Sequence, residues 1–148
     1  MTGPETPSTN ASEFVDTNVL IYAFDLRAAA KRQTALALLR RLWEQRCGCT
    51  SLQVLQEFYV SSTKKLALPV DVALAQVQHL SRWRVHRPTA DDVVEAIRLQ
   101  QGCGLSFWHA MIVTSARRLA CRVLWSEDMS SGVSYEGVVV RSPFDFTD

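Results

Sequence analysis

Short apolar segments alternate along this chain with longer stretches in which apolar residues recur at spacings of three and four. The short segments predict β-strands, and the longer stretches predict amphipathic helices. The predicted strands cover residues 13–16, 47–50, 84–87, 122–125 and 138–141. The predicted helices cover residues 17–24, 28–46, 52–68, 70–82, 90–100 and 107–119, with Ser51 and Ser106 as N-caps. Strands separated by helices imply an α/β domain whose central sheet is mainly parallel and covered on both faces.

The first predicted strand ends at a carboxylate. Asp16 follows an apolar run and precedes two small polar residues, after which the apolar pattern resumes. In open α/β sheets, sites form in the crevice outside the carboxyl ends of the strands. Asp128 follows another predicted strand, and Glu57 lies near the start of a predicted helix, beside its apolar stripe. We therefore expect Asp16, Glu57 and Asp128 to converge on one site.

Clustered carboxylates favour the binding of a divalent cation, because like charges repel and raise each other's pKa. Their hard oxygen ligands suit Mg²⁺ or Mn²⁺. Such ions activate water and stabilise the oxygens of an in-line phosphoryl displacement, so the residues indicate metal-dependent phosphodiester hydrolysis. Each residue also has a plainer interpretation: Asp16 as a helix cap, Glu57 as a solvated side chain and Asp128 as part of a turn.

The composition adds little to the prediction of function. The chain has 148 residues, which suits one domain, and its 16 basic and 15 acidic residues give a net charge of +1. Without the three candidate site carboxylates the balance is 16 basic against 12 acidic residues, a mild preference for a polyanion. Lys64 and Lys65 follow Glu57 by about two helical turns. They are candidate contacts for an RNA phosphate, and a solvated surface is the alternative.

Residues 1–12 are rich in Thr, Pro, Ser and Asn and resemble no secretory signal, so we expect a disordered tail before a single domain over residues 13–148. No apolar run is long enough to cross a membrane. The four cysteines contain no C-x-x-C pair and are expected to be free, buried thiols of a cytoplasmic protein. A soft-metal site at Cys47 and Cys49 is the alternative.

Four segments carry a more specific pattern. They are FVDTN at residues 14–18, TSLQVLQEF at 50–58, LSFWHAMIV at 105–113 and VLWSEDM at 123–129. In order, spacing and flanking residues, the chain from residue 13 to residue 144 resembles the PIN-domain ribonucleases, and most closely the VapC-type toxins of bacterial toxin–antitoxin pairs.

The resemblance implies a three-layer α/β/α sandwich and an endoribonuclease that depends on Mg²⁺ or Mn²⁺. It assigns the family's acidic residues to Asp16, Glu57 and Asp128, with Asn18 and Ser126 as supporting polar residues. It also implies an RNA substrate, a homodimer, and a cognate antitoxin protein that wraps the toxin and blocks its site.

His109 departs from the family pattern, which has Asp at this place in a Ser-Phe/Tyr-Trp-Asp-Ala motif. The histidine is a metal ligand in an altered site, a replacement that weakens or abolishes catalysis, or a buried structural residue. With Ser106 as N-cap, His109 lies in the first helical turn, where the positive end of the helix disfavours imidazolium. Neutral imidazole prefers softer ions to Mg²⁺. We therefore expect activity to be reduced in Mg²⁺ and favoured by Mn²⁺ or softer ions.

Two alternative functions follow from the same residues. The first is a PIN-fold protein with impaired or absent catalysis that binds RNA or an antitoxin, which His109 favours. The second is a phosphoacceptor signalling domain, which also clusters acids at strand ends. It needs an acceptor Asp after a middle strand and a Lys after a late one. Thr50 ends the middle strand and residues 123–128 contain no Lys, so the pattern argues against it.

Overall fold

The computed structural model describes residues 11–145 of the chain. Most of the predicted N-terminal tail falls outside the described residues, so its disorder stays a prediction. Ser12, at the end of that segment, accepts a hydrogen bond from Arg84 Nη1 at 3.1 Å. Its carbonyl accepts a second from the amide of Arg122, also at 3.1 Å. These two bonds tie Ser12 to the body of the domain.

Six strands in the described part of the chain form one sheet with the order β3-β2-β1-β4-β6-β5. They are β1 (Glu13–Val15), β2 (Gly48–Ser51), β3 (Arg84–His86), β4 (Val123–Trp125), β5 (Ser134–Tyr135) and β6 (Val138–Arg141). Every pairing is parallel except that of β5 with β6. The prediction of a mainly parallel sheet is therefore confirmed.

The helices form two groups on this sheet. They are α1 (Thr17–Tyr22), α2 (Ala29–Glu44), α3 (Leu52–Lys65), α4 (Val70–Leu80), α5 (Ala90–Cys103) and α6 (Phe107–Arg118). The first group contains α1 to α4, and its helices α2 and α3 pack on β2. The second group contains α5 and α6, and α6 packs on β2, β3, β4 and β6. The result is the predicted three-layer α/β/α sandwich.

Strand β1 is a continuous apolar run because both of its faces are buried in the core. Phe14 and Val15 are adjacent, so they point to opposite faces of the sheet, and both are fully buried. Leu124 in β4 is buried beside them. In the parallel register, Val15 pairs with Trp125, so β1 and β4 end together at the same edge. The residues that follow them are thereby brought side by side.

The helix boundaries follow the capping chemistry. The N-caps predicted at Ser51 and Ser106 are confirmed, because their hydroxyls accept hydrogen bonds from the amides of Val54 at 3.3 Å and His109 at 3.1 Å. The predicted helix 52–68 ends earlier, at Lys65. The predicted helix 90–100 continues to Cys103, where Gly104 takes the left-handed conformation with a φ of 72°.

The apolar pattern did not predict strand β5. This strand has two residues and returns to β6 through Glu136 and Gly137, whose φ angles are 51° and 91°. Positive φ at both central residues is typical of a type I′ hairpin turn, which Asn-Gly or Asp-Gly usually marks in a sequence. Glu-Gly is a weaker signal, so the short hairpin was not recognised.

The cysteines largely match expectation. Cys47, Cys49 and Cys121 are free and buried, whereas Cys103 is free but exposed, which corrects the prediction for that residue. Cys103 is the last residue of α5 and precedes the C-cap Gly104. Among the described residues, no helix combines the length and apolarity that a membrane span requires.

Candidate metal centre

Asp16 lies at the point where β1 passes directly into α1. It is the N-cap of that helix, and its Oδ1 accepts a hydrogen bond from the amide of Thr17 at 2.7 Å. Its own amide donates to the carbonyl of Trp125 in β4 at 2.9 Å. The plain interpretation of Asp16 as a helix cap is therefore correct for Oδ1. The side chain is nevertheless part of a larger polar cluster through Oδ2.

Two supporting residues hold Asp16 Oδ2. The hydroxyl of Ser126 donates to it at 2.9 Å, and Asn18 Nδ2 donates to it at 3.3 Å. Asn18 Oδ1 in turn accepts from the amide of Glu127 at 2.9 Å, and Ser126 Oγ accepts from the amide of Asp128 at 3.2 Å. These bonds fix the turn after β4 against the first turn of α1. Asp128 is thereby held beside Asp16.

Asp16, His109 and Asp128 each place a possible ligand atom within 4.8 Å of the other two. They come from the end of β1, the first turn of α6 and the turn after β4. Asp16 is buried, His109 is half-buried and Asp128 is exposed, so the group opens to solvent on one side. The interpretation of His109 as a buried core residue is wrong, because its ring belongs to this half-open group.

Glu57 lies beside this group but outside it. Its Oε1 accepts a hydrogen bond from the hydroxyl of Thr17 at 2.8 Å, and its Oε2 accepts one from Gln53 Nε2 at 3.1 Å. Thr17 and Gln53 were not singled out from the sequence. The spacing of four between Gln53 and Glu57 on one helix was the available signal, since residues at i and i+4 are neighbours.

The electrostatics of Asp16 favour a cation. Burial is the largest effect and raises the pKa of this carboxyl, and the negative charge of Glu57 raises it further. Hydrogen bonds from Thr17 and Ser126 and an electrostatic effect of the His109 ring offset part of this rise, and the pKa remains above its usual value. Two carboxylates and an imidazole around one position are a donor set that a divalent ion stabilises, so these residues fit a metal.

A cleft of about 520 Å³ adjoins the group. Glu57, Asp128 and Lys65 line it, together with Tyr22 and Glu127. Lys64 is exposed next to Lys65 at the end of α3, but it does not line this cleft. Lys31, which was not singled out from the sequence, forms an ion pair with Glu127 at the cleft.

Comparison with known proteins identifies the family of this chain. The family model of the PIN domain matches residues 14–130, which span Asp16, Glu57, His109 and Asp128. The chain belongs to the PIN domain family. The resemblance predicted from the sequence is thus confirmed at the level of the family. No protein with a curated description matches this PIN domain in sequence.

Solved structures share the fold of this PIN domain. A toxin–antitoxin complex from Klebsiella pneumoniae matches with a TM-score of 0.66 and 21% identity, over 89% of this chain and 98% of that one. VapC20 from Mycobacterium tuberculosis, described as a toxin that cleaves the sarcin–ricin loop, matches with a TM-score of 0.62 and 23% identity, over 78% of this chain and 88% of that one. A DNA-bound VapBC from Salmonella typhimurium matches with a TM-score of 0.62 and 18% identity, over 90% of this chain and 99% of that one. At these identities the likeness establishes the fold.

Proposed function

We propose that this PIN domain is a metal-dependent endoribonuclease toxin of the VapC type, controlled by a cognate antitoxin. The observation that carries the proposal is the grouping of Asp16, His109 and Asp128 at the carboxyl ends of β1 and β4, beside an open cleft. The likeness to toxin structures supports the same assignment. Hydrolysis of an RNA phosphodiester is the reaction that suits a cation held in such a place.

The ion would be held by Asp16, Asp128 and His109, with Mg²⁺ or Mn²⁺ as the family's usual choice. When bound, it supplies a Lewis acid that lowers the pKa of water and stabilises charge on the phosphate oxygens. Ser126 and Asn18 orient the Asp16 carboxylate through its Oδ2.

Glu57 has a different role in this proposal. Its carboxylate lies outside the ligand group, where Thr17 and Gln53 fix its position. It lines the cleft with Asp128, so it faces the space that a scissile phosphate would enter. A fixed carboxylate next to the reacting phosphate is suited to accept the proton of the attacking water. We assign that role to Glu57, rather than metal ligation.

The cleft has features that suit an RNA strand. Lys65 lines it, so its ammonium group is placed to hold a phosphate that leads away from the metal. Lys64 extends the same positive charge on the outer surface. Trp108, adjacent to His109, is 60% exposed and offers a ring on which an unpaired base stacks. Single-stranded or looped RNA is the form that presents such bases.

Protein partners are the second part of the proposal. Several large apolar side chains on α3 and α4 are exposed: Leu52, Tyr59, Val60, Val70 and Leu74. All of them except Val70 line an apolar groove of about 380 Å³. A contiguous apolar surface of this kind supports association with another protein. We propose an antitoxin and a second copy of the chain as these partners, acting in the cytoplasm.

One observation favours a second candidate function. His109 replaces a carboxylate in the ligand group, which favours a PIN domain with impaired catalysis that binds RNA or an antitoxin. The variant His109→Asp separates the two functions, because it restores the family's residue without changing the backbone. In Mn²⁺, a large gain in cleavage would show that the natural protein is impaired, and no gain would favour the active toxin.

The toxin assignment is tested by induced expression in a bacterial host. We expect growth to stop with the natural chain and to continue with Asp16→Asn at equal protein level, because that variant removes a ligand charge. Asp71→Asn, an exposed acid on α4, is the matched control and should remain toxic. Mapping of new RNA 5′ ends identifies the target. Growth arrest by Asp16→Asn as strong as by the natural chain would overturn the assignment.

A further inference from the structure

The ligand group of this PIN domain combines two carboxylates with one ring nitrogen. The position of the ring is built into the fold, because His109 occupies the third residue of α6. Its amide is held by the N-cap Ser106 at 3.1 Å. The neighbouring carbonyl of Trp108 accepts a hydrogen bond from Gln53 Nε2 at 3.4 Å, which ties this helix start to α3. The ring therefore starts from a fixed backbone and not from a mobile loop.

We propose that His109 is a metal ligand and that it makes this site select a transition-metal ion, of the Mn²⁺, Co²⁺ or Zn²⁺ class, over Mg²⁺. The inference rests on the metal dependence in the proposed function, and it adds the identity of the ion. It concerns a residue in which this chain departs from its family's motif.

The chemistry of the ligands carries this selectivity. Mg²⁺ requires near-ideal octahedral coordination by oxygen and gives up its water ligands reluctantly. Imidazole nitrogen is a poor replacement for one of those oxygens. It is a preferred ligand of the later first-row ions such as Co²⁺ and Zn²⁺, and Mn²⁺ accepts it less readily than these ions but more readily than Mg²⁺ does. A His in place of an Asp therefore weakens Mg²⁺ binding more than it weakens binding of Mn²⁺, Co²⁺ or Zn²⁺.

The charge of the group indicates a single ion. Asp16 and Asp128 supply two negative charges, which balance one divalent cation. The third nearby carboxylate, Glu57, is held outside the group by Thr17 and Gln53. A second divalent ion would need further negative charge within reach, and the three residues of the group do not supply it.

The spacing of the ligand atoms is compatible with one such ion. The three atoms lie within 4.8 Å of one another. Two ligands on opposite sides of an ion with bonds of about 2.1 Å are separated by about 4.2 Å. Small side-chain rotations bring the group to that spacing, and the half-buried ring and the exposed Asp128 have room to make them.

Metal binding without RNA tests the inference. Co²⁺ gives visible absorption bands whose position and intensity report nitrogen and oxygen ligands, and Mg²⁺ is then added as a competitor. We expect Mn²⁺ to displace Co²⁺ at concentrations at least about tenfold below those of Mg²⁺. In His109→Asp that preference should shrink by about tenfold or more, with the Co²⁺ bands shifted. Equal competition by Mg²⁺ and Mn²⁺ in the natural chain would overturn the inference.

Two controls make the result specific. Asp16→Asn should abolish Co²⁺ binding, and His79→Gln, which alters a histidine stacked on Trp43 outside the group, should leave it unchanged. Circular dichroism establishes that each variant is folded. An Asp at position 109 suits the positive end of α6, so His109→Asp is expected to fold.

The ring nitrogens can also be observed directly. On addition of Zn²⁺ to ¹⁵N-labelled protein, one ring nitrogen of His109 should shift, while the rings of His79 and His86 should not. A Zn²⁺-bound protein with an unshifted His109 ring would overturn the ligand role. Neither measurement requires RNA, so absence of RNA cleavage with every ion would contradict the proposed function alone.

Discussion

The hydroxyl of Ser126 forms hydrogen bonds with three partners in the metal centre. It donates to Asp16 Oδ2 at 2.9 Å, accepts from the amide of Asp128 at 3.2 Å and accepts from Asn18 at 3.3 Å. The residue is fully buried, so water cannot replace these bonds. It therefore acts as a positioning residue for both carboxylates of the ligand group.

The variant Ser126→Ala tests this role. Loss of a hydrogen-bond partner behind a metal ligand typically lowers metal affinity by about 10- to 100-fold, and we expect that range in a Co²⁺ titration. The buried groups left without a partner should also lower the free energy of unfolding by about 1–3 kcal/mol. Ser130→Ala, at an exposed serine of the same loop, is the control and should change neither quantity. Unaltered Co²⁺ affinity in Ser126→Ala would contradict the positioning role.

Residues at strand ends were predictable, and their detailed contacts were not. The position of Asp16 and Asp128 follows from the parallel register of β1 and β4, which apolar patterning already indicates. The exclusion of Glu57 from the ligand group depends on two side-chain hydrogen bonds, from Thr17 and Gln53, that no sequence period encodes. The exposure of the His109 ring depends likewise on how α6 is rotated against the sheet.

At the scale of elements, Asp92 joins β3, α5 and α6. Its carboxylate accepts from the amide of Thr89 at 2.8 Å, completing the capping box of α5, and from Arg118 Nε of α6 at 2.7 Å. It also lies 3.2 Å from His86 Nε2 in β3. Burial alone would raise the pKa of Asp92, but the Thr89 amide, Arg118 and His86 together lower it below its usual value.

The variant Asp92→Asn should destabilise the protein in a pH-dependent manner. The pKa of Asp92 is lower in the folded state than in the unfolded state. The ionised carboxylate therefore contributes its full stabilisation of the fold at pH values above the unfolded pKa, near 3.8. That contribution is lost as the pH falls through the folded value. We expect a loss of about 1–3 kcal/mol at pH 7, which begins to shrink below about pH 4 and disappears once the pH is below the folded pKa of Asp92.

Urea unfolding at pH 7 and pH 3 provides the measurement for Asp92→Asn. The exposed neighbour Asp91 lies in the same helical turn, so Asp91→Asn removes the same charge without the ion pair and should cost less. A difference between Asp92→Asn and the natural chain that is as large at pH 3 as at pH 7 would show that the charge of Asp92 is not its source.

The start of β2 has a close contact that restricts one glycine. A Cβ atom placed on Gly48 would lie 2.7 Å from Cε2 of Trp83, closer than Cβ atoms pack. The indole lies over the start of β2, next to the segment that leads into β3. Gly48 is therefore required by a side chain rather than by its own backbone conformation.

Gly48→Ala should lower the free energy of unfolding by about 1–3 kcal/mol, because the added methyl group overpacks this contact. Gly102→Ala is a matched control in α5, where no atom lies within 4 Å of the added Cβ. That control should not destabilise the protein and should stabilise it by at most about 0.5–1 kcal/mol, because Ala favours the helix more than Gly does. Urea unfolding followed by tryptophan fluorescence measures both. Equal effects of the two substitutions would contradict the proposed contact.

Element types were predictable because the sheet is buried on both faces and each helix has a cap or an apolar stripe. Ser106 at the start of α6 is an example, since its residue type and position define the cap. Element ends were less predictable. The extension of α5 to Cys103 depends on Gly104 adopting a left-handed conformation, and Gly102 offered an equally good stop in the sequence.

At the scale of the whole molecule, the order β3-β2-β1-β4-β6-β5 explains why the centre forms where it does. The strand that carries Asp16 lies between β2, which leads into the helix of Glu57, and β4, which leads to Asp128. The N-terminus of α6 completes the group with His109. Segments about a hundred residues apart in sequence thus meet at one edge of the sheet.

Cleavage of RNA by the purified protein tests the central claim, that this centre is an active metal-dependent nuclease. A panel of end-labelled, structured RNAs is incubated with Mn²⁺, with and without EDTA. We expect cuts at discrete positions by the natural chain, none with EDTA, and cleavage by Asp16→Asn slower by at least about a hundredfold. Cleavage by Asp16→Asn at the natural rate, or no cleavage of any RNA by the natural chain in Mn²⁺, would contradict the account.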